Sequence, residues 1–312
     1  MLSRIADSLF WMNRYMERAD CLLRLLYIHY RLSLDKDVNE NKTWRPVLEL
    51  FVSGNGYDLA ALENDTYGSL QVLLLDSDNN NSLKVMLNRA RENARGVQDH
   101  ITKEVWEQIN QQFHLINHPS VPHQLNDYEA LKLIEIFIKH CVMYTGTTEI
   151  TMSRGTGWDF MNLGKYIERC LQTIVITNKQ LEQVSDKGSE VNDILQWRYL
   201  LLALSGYELH LKTYRTPDHN YNVLHQVVLN EHFTHSVRYS LQHVDIYLKR
   251  VANKQDEESN HLLRCFGRLY SKVQFMEMNI LNKCNLQPFL NEVKNDLLVF
   301  NQLFNQHFFS YY

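Results

Sequence analysis

The sequence predicts an all-α fold, a multi-helix bundle with an internal duplication of a long glutamate-arginine helix. Three observations carry that prediction. First, the 312 residues include only 11 glycines and 5 prolines, less than half of what average usage of about 7% glycine and about 5% proline would supply. Sheet-rich chains turn often and spend both residues freely. Second, Leu2, Ile5, Leu9, Met12, Met16, Ala19, Leu23, Leu26 and Tyr30 alternate spacings of three and four, the one-face stripe of a helix. Third, the same stripe returns after Trp158. With 17 tyrosines, 13 phenylalanines and 45% apolar residues, the helices have ample side-chain volume for a core.

Taken in order, the first helix is expected from Ser3, a good capping residue, to about residue 32. Thr43 stands ahead of Trp44, Arg45 and Pro46 and reads as the cap of a second helix through Phe51, since proline suits the first turn. Residues 70–75 form a short apolar segment, and the run 76–82 (DSDNNNS) is a turn with Ser82 as the next cap. Helical pattern covers 83–100, and Thr102 opens another stretch over 105–113. Pro119 and Pro122 mark a loop before pattern resumes over 127–152. Gly155 and Gly157 lead into a long helix over 158–184. Ser189 is expected to cap a helix to Tyr214, which Pro217 ends. Patterns over 220–231, 235–253 and 256–282 follow, and Gln287-Pro288 opens the last helix, to about residue 308. No low-complexity linker intervenes, so residues 1–312 are expected to form one helical domain, with 1–125 and 126–312 as candidate sub-bundles.

At a constant offset, Leu9, Met12, Met16, Ala19 and Leu23 superpose on Phe160, Leu163, Ile167, Cys170 and Ile174. Tyr15, Glu17 and Arg18 then fall on Tyr166, Glu168 and Arg169, so both helices carry Tyr-x-Glu-Arg at one phase of one stripe. Glu17 shares its column with Phe10, and Arg18 shares its column with Trp11 and Leu25. A helix apolar nearly all round is a central one, which brings both Glu-Arg pairs inside the protein or into a cleft. They read either as ion pairs locking packed helices or as a polar pocket for a ligand. The segment 89–95 (RARENAR) offers the same choice. Glu92 can pair with Arg95 on its own helix, or Arg91 and Arg95 can turn to Glu17 and Glu168. The second arrangement would gather Glu17, Arg18, Arg91, Glu92, Arg95, Glu168 and Arg169 into one constellation able to grip a carboxylate.

Other chemistry finds little support. A formal charge of -4 speaks against a nucleic-acid surface. No apolar run is long enough to span a membrane, and the amphipathic start is not a signal peptide. Cys21, Cys141, Cys170, Cys265 and Cys284 lack paired spacing and read as reduced packing residues of a cytoplasmic protein. His232 and His235 follow Glu231 without making a zinc-protease pattern, so neither a metal nor a cofactor is expected. Gly155-x-Gly157 beside Arg154 reads as an anion-binding helix entry or as a plain turn. Glu17 or Glu168 would act as a general base only with a raised pKa, which neighbouring arginines oppose.

The opening Leu2-Ser3-Arg4, with Trp11-Met12-x-Arg14-Tyr15-x-Glu17-Arg18-Ala19-Asp20, resembles the start of bacterial alpha-E domain proteins, an all-helical domain family of unknown function. Leu73-Leu74-Leu75-Asp76 with Asn79 and Ser82 is similar to the family's leucine-aspartate-asparagine-serine turn. Arg91-Glu92-Asn93-Ala94-Arg95, then Thr102, Glu104, Trp106-Glu107 and Asn110, resembles its most recognisable block. Ser153-Arg154, Gly157-Trp158 and Tyr166-Ile167-Glu168-Arg169 resemble its second glutamate-arginine helix. Two places depart from the pattern: Cys170-Leu171 stands for alanine-aspartate, and Phe233-Thr234-His235-Ser236 stands where a proline-arginine-serine turn is expected.

The resemblance implies association with circularly permuted ATP-grasp and transglutaminase-like proteins, hence with amide- or peptide-bond formation. The chain is accordingly expected to be a non-catalytic accessory or scaffold subunit, with an ATP-grasp ligase and a transglutaminase-like protein as partners. Tyr15, Arg18, Arg91, Glu92, Arg95, Arg154, Tyr166 and Arg169 are the expected binding residues for a peptide, amine or amino-acid ligand. The alternatives are an amide-bond hydrolase or transferase using Glu17 or Glu168, and a purely structural helical interaction protein.

Overall fold

The chain is all-α: fourteen α-helices and no strand occur among the described residues. In this computed structural model those are residues 1–33, 43–53, 56–184, 190–215, 218–253, 255–277 and 283–309. Ser189 and Pro217 lie outside them. No helix among the described residues is long and apolar enough to cross a membrane. Two compact units divide the chain, one of Trp11–Ser153 and one of Met1–Phe10 with Arg154–Tyr312. The borders fall at 10/11 and 153/154, rather than in the proline loop before residue 126.

The first unit takes α1 (Ser3–Ser33) from Trp11 onward, then α2 (Arg45–Phe51), α3 (Leu59–Leu62), α4 (Thr66–Leu74), α5 (Leu83–Gly96), α6 (Lys103–Ile116) and α7 (Asp127–Thr151). Asp58, Asp65, Ser82 and Thr102 cap α3, α4, α5 and α6, each side chain accepting from amides of the first turn. Trp44, not Thr43, occupies the cap position of α2. Its indole Nε1 donates to Thr66 Oγ1 at 3.0 Å and its amide to the Glu63 carbonyl at 2.8 Å, so tertiary bonds fix that entry. α5 lies on α6 and α6 on α7, burying Leu87, Ala90, Val105, Ile109, Ile134 and Phe137 between them.

The second unit contains α8 (Thr156–Gln183), α9 (Glu190–Ala203), α10 (Tyr207–Thr213), α11 (His219–Val228), α12 (Val237–Val251), α13 (Glu257–Gln274) and α14 (Lys283–Phe309). α8 is buried nearly all round, with α9, α12 and α14 against it. Phe10, Phe160, Phe266, Phe300 and Phe304 pack ring against ring near the end of α14, Phe10 and Phe304 stacked at 5.3 Å between ring centroids. α14 begins at Lys283, so Pro288 sits inside it rather than opening it. α9 ends with Ser205 at φ 56 and with the Gly206 amide donating to the Leu201 carbonyl at 2.7 Å, a left-handed helix stop. Gly206 must stay small, because a Cβ there would lie 2.7 Å from the Phe233 ring.

The seven helices of each unit follow one another in the same order, and corresponding side chains do the same work. Trp197 donates its indole to Asn220 Oδ1 at 2.6 Å at the start of α11, as Trp44 does to Thr66 at the start of α4. Asp256 caps α13 as Thr102 caps α6. The correspondence expected for one helix therefore reaches the starts of α4 and α11 and of α6 and α13.

Candidate functional site

In each unit the Tyr-x-Glu-Arg helix sends its arginine to a turn that caps another helix. Leu75, Asp76, Asn79 and Ser82 in the first turn correspond to Leu229, Asn230, Phe233 and Ser236 in the second. The amides of Leu75 and Asp76 both reach the Gln71 carbonyl, and those of Leu229 and Asn230 both reach the His225 carbonyl. Ser82 Oγ donates to the Asp76 carbonyl at 2.6 Å, and Ser236 Oγ donates to the Asn230 carbonyl at 2.5 Å. Each serine oxygen then accepts from an amide of the helix it opens, Val85 in α5 and Tyr239 in α12. A tyrosine hydroxyl braces both turns: Tyr57 donates to Asp76 Oδ2 at 2.8 Å, and Tyr214 accepts from Asn230 Nδ2 at 3.0 Å. Burial, helped by the bond to Asp76, pushes the Tyr57 phenol up to about 12.

In the first unit Arg18 Nη1 donates to Asn81 Oδ1 at 3.0 Å. Asn79, fully buried, holds that turn by accepting from the Ser53 amide, the Ser53 hydroxyl and the Asn81 amide. Arg89 lies over the Tyr15 ring at 5.9 Å and donates to Asn80 Oδ1 at 2.5 Å. Tyr15, Arg18 and the turn over 79–81 are thus brought together. Arg91 goes elsewhere. Its Nε donates to Asn110 Oδ1 at 2.8 Å, and its guanidinium covers Phe113 at 4.1 Å and Trp106 at 5.6 Å. Glu92 pairs with Arg95 at 2.6 Å and with Arg91 at 3.4 Å, so the carboxylate of this block is Glu92 and not Glu17. Glu17 is half-buried and within electrostatic reach of Arg24, Cys141 and Tyr144.

In the second unit Glu168 is 0% exposed and accepts from Gln172 Nε2 at 2.8 Å. Arg169 Nη1 donates to the Thr234 carbonyl at 3.4 Å, and Thr173 Oγ1 donates to the His235 carbonyl at 2.9 Å. These contacts go to backbone oxygens, so the turn that departs from the family pattern still receives the arginine. Tyr166 stacks on His243 at 4.6 Å and faces Tyr247 at 6.1 Å, with Arg169 and Lys165 over its ring at 5.4 and 5.5 Å. Burial, with Arg169 and Lys165 adding to it, lowers the His243 pKa. Arg154 is exposed and lies over Trp158 at 3.8 Å. Gly157 packs closely, since a Cβ would stand 3.2 Å from Leu9 Cδ1 and Met1 Cε.

The sequence profile of one family covers residues 1–309, a family described as a predicted alpha-helical domain with a conserved ER motif. The chain belongs to the Alpha-E family. The ER pair of Alpha-E proteins stands here twice, at Glu17-Arg18 and at Glu168-Arg169. Uncharacterised proteins of Mycobacterium bovis and of two Mycobacterium tuberculosis strains are each 26% identical over 204 residues, covering 60% of this chain. The match takes up 23% of each of those proteins, so this chain spans a minor part of their length. No solved structure matches this Alpha-E chain.

Asn79, Asn81 and His243 were not singled out from the sequence as partners of the Tyr-x-Glu-Arg helices. One signal was present: Tyr239, His243 and Tyr247 recur at the four-residue spacing of a helix column. No group of three or more metal-ligating side chains is gathered among the described residues. Cys21, Cys141, Cys170 and Cys265 are free thiols, and burial pushes Cys141 and Cys170 well above the usual thiol range.

Proposed function

We propose that this Alpha-E chain is a non-catalytic accessory or scaffold subunit of an ATP-grasp amide- or peptide-bond-forming system in the cytoplasm. It docks an ATP-grasp ligase and a transglutaminase-like protein and presents a peptide, amine or amino-acid ligand to them. The observation that carries this reading is the full burial of Glu168 against Gln172. A general base must come within hydrogen-bond reach of its substrate's proton, and a glutamate closed off in this way is a framework group. The buried thiols support the same reading, because burial keeps them protonated and the thiolate is the nucleophile. Tyr15, Arg18 and Arg169 remain half-buried, and rings beside guanidinium groups suit amines and carboxylates respectively. In the mycobacterial relatives the matched stretch is a minor part of a longer chain, as suits a helical module working alongside others.

The test is recovery of tagged protein from its native cell extract, with mass spectrometry of what accompanies it and amide-turnover assays on the purified chain. An ATP-grasp ligase in the recovered complex and no turnover by the chain alone are the expected results. Amide hydrolysis or transfer by the purified chain, abolished in a folded Glu168→Gln variant, would replace the scaffold with an enzyme.

A further inference from the structure

A second region of the second unit stands apart from the Tyr-x-Glu-Arg helices. Between α13 and α14 runs an open groove of about 760 Å³. His261, Arg264, Arg268 and Lys272 line it from α13, and their spacings of three and four place them along one edge of that helix. From His261 to Lys272 the edge extends over three turns, about 16 Å. At the Lys272 end the ammonium is outnumbered by carboxylates, its Nζ donating to Glu292 at 2.7 Å and to Asp296 at 2.5 Å, so the positive end of the groove is the one with Arg264 and Arg268. Arg264 and Arg268, both exposed, make no hydrogen bond or ion pair among the described residues. Val299, 52% exposed, gives the groove apolar surface beside these charges, while Leu269 in its lining is buried.

The duplicated architecture shows that the fold does not require this arrangement. The positions corresponding to 261, 264, 268 and 272 hold Glu107, Asn110, His114 and His118 in the first unit. Asn110 there is occupied by Arg91 at 2.8 Å. In the second unit the residue corresponding to Arg91 is Asp245, which pairs with Lys249 on its own helix. Arg264 is left facing the groove.

We propose that this groove binds an acidic peptide segment of a partner protein. Arg264 and Arg268 take two carboxylates spaced about one helical turn apart, and an apolar side chain of the peptide lies over Val299. Guanidinium forks bind carboxylates bidentately, and the groove's volume falls in the range of ligand-binding clefts. An open, elongated cleft with apolar surface suits a peptide better than a single small anion. A single-stranded nucleic acid is disfavoured, because no aromatic side chain lines the groove to stack a base.

The test uses the full chain and a fluorescein-labelled peptide of repeating Glu-Leu-Glu, with its Gln-Leu-Gln counterpart as control, read by fluorescence anisotropy. Cys265, which lines the groove, supplies a second readout through its rate of alkylation by N-ethylmaleimide. The acidic peptide is expected to bind, to weaken with added salt, and to slow alkylation at Cys265. Arg264→Gln with Arg268→Gln should weaken binding by roughly tenfold or more, while Lys103→Gln on α6 leaves it unchanged. Equal binding by the double variant, unchanged Cys265 alkylation at saturation, or no binding to the wild type would each overturn the assignment. Displacement by inorganic phosphate as readily as by unlabelled peptide would overturn the peptide in favour of a small-anion site.

Discussion

The turn before α5 and the turn before α12 follow the same backbone path and are filled differently. Each has two amides converging on one carbonyl, a serine bonded back to the turn's start, and an arginine arriving from a Tyr-x-Glu-Arg helix. The first is organised by the buried carboxamide of Asn79; in the second that position holds the buried ring of Phe233, which approaches Gly206, and the Asn230 side chain accepts from the His232 and Phe233 amides. Arg18 meets a side-chain oxygen and Arg169 a backbone carbonyl. The same position of the turn can thus hold a carboxamide or an aromatic ring, provided another side chain takes up the turn's amides and the capping serine and the arginine acceptor survive.

The largest expected effect separates those two solutions. Phe233→Ala should cost about 3–5 kcal/mol, as removal of a buried aromatic ring does. Asn79→Ala should cost about 1–3 kcal/mol by stranding the donors it satisfies. Urea unfolding with hydrogen exchange at the start of α12 and of α5 would check both, and an equal, small loss at the two positions would break the comparison. Next in size, Ser82→Ala and Ser236→Ala should each cost about 1 kcal/mol, because each removes one cap of the same geometry. A marked inequality between them in thermal melts would mean that the turns are not equivalent.

The smallest effect concerns pH. Burial lowers the pKa of His210, His225 and His243 in the second unit, with His219 adding to it for His210, Arg238 for His225, and Arg169 and Lys165 for His243. Below about pH 6.5 the unfolded chain therefore binds more protons than the native one. The stability these histidines contribute is full above that value and declines as pH falls through their depressed native values. Protection factors of α10–α12, taken after correcting exchange for its intrinsic pH dependence, should accordingly fall between about pH 7.5 and about pH 5.5. His243→Phe should blunt the change at α12, and an unaltered response there would remove His243 from the account.

Several features of the site were legible in the sequence because they depend on neighbours along one helix. The stripe of three-and-four spacings gave α1 and α8, and the phase of Glu17 and Glu168 on that stripe pointed to burial, complete for Glu168 and partial for Glu17. Ser82 and Thr102 were recognisable as caps, since a capping oxygen serves amides two or three residues ahead. The pairing of Glu92 with Arg95 is likewise a matter of one turn. Thr43 and Pro288 misled for the same local reason, as both have good claims to open a helix. Trp44 took the cap position through bonds to Glu63 and Thr66, partners that no local pattern names.

By itself, then, the sequence determined the all-α class, the repeated Tyr-x-Glu-Arg helix and the caps Ser82 and Thr102, because periodicity and capping act over a few residues. Only the tertiary structure decided that Arg18 meets Asn81 and Arg169 meets Thr234. It also decided that Arg91 turns to Asn110 and Phe113 rather than to a core carboxylate. A charged side chain settles on whichever acceptor the packing of distant helices brings within reach, and that choice is made across the fold, between residues far apart in the chain.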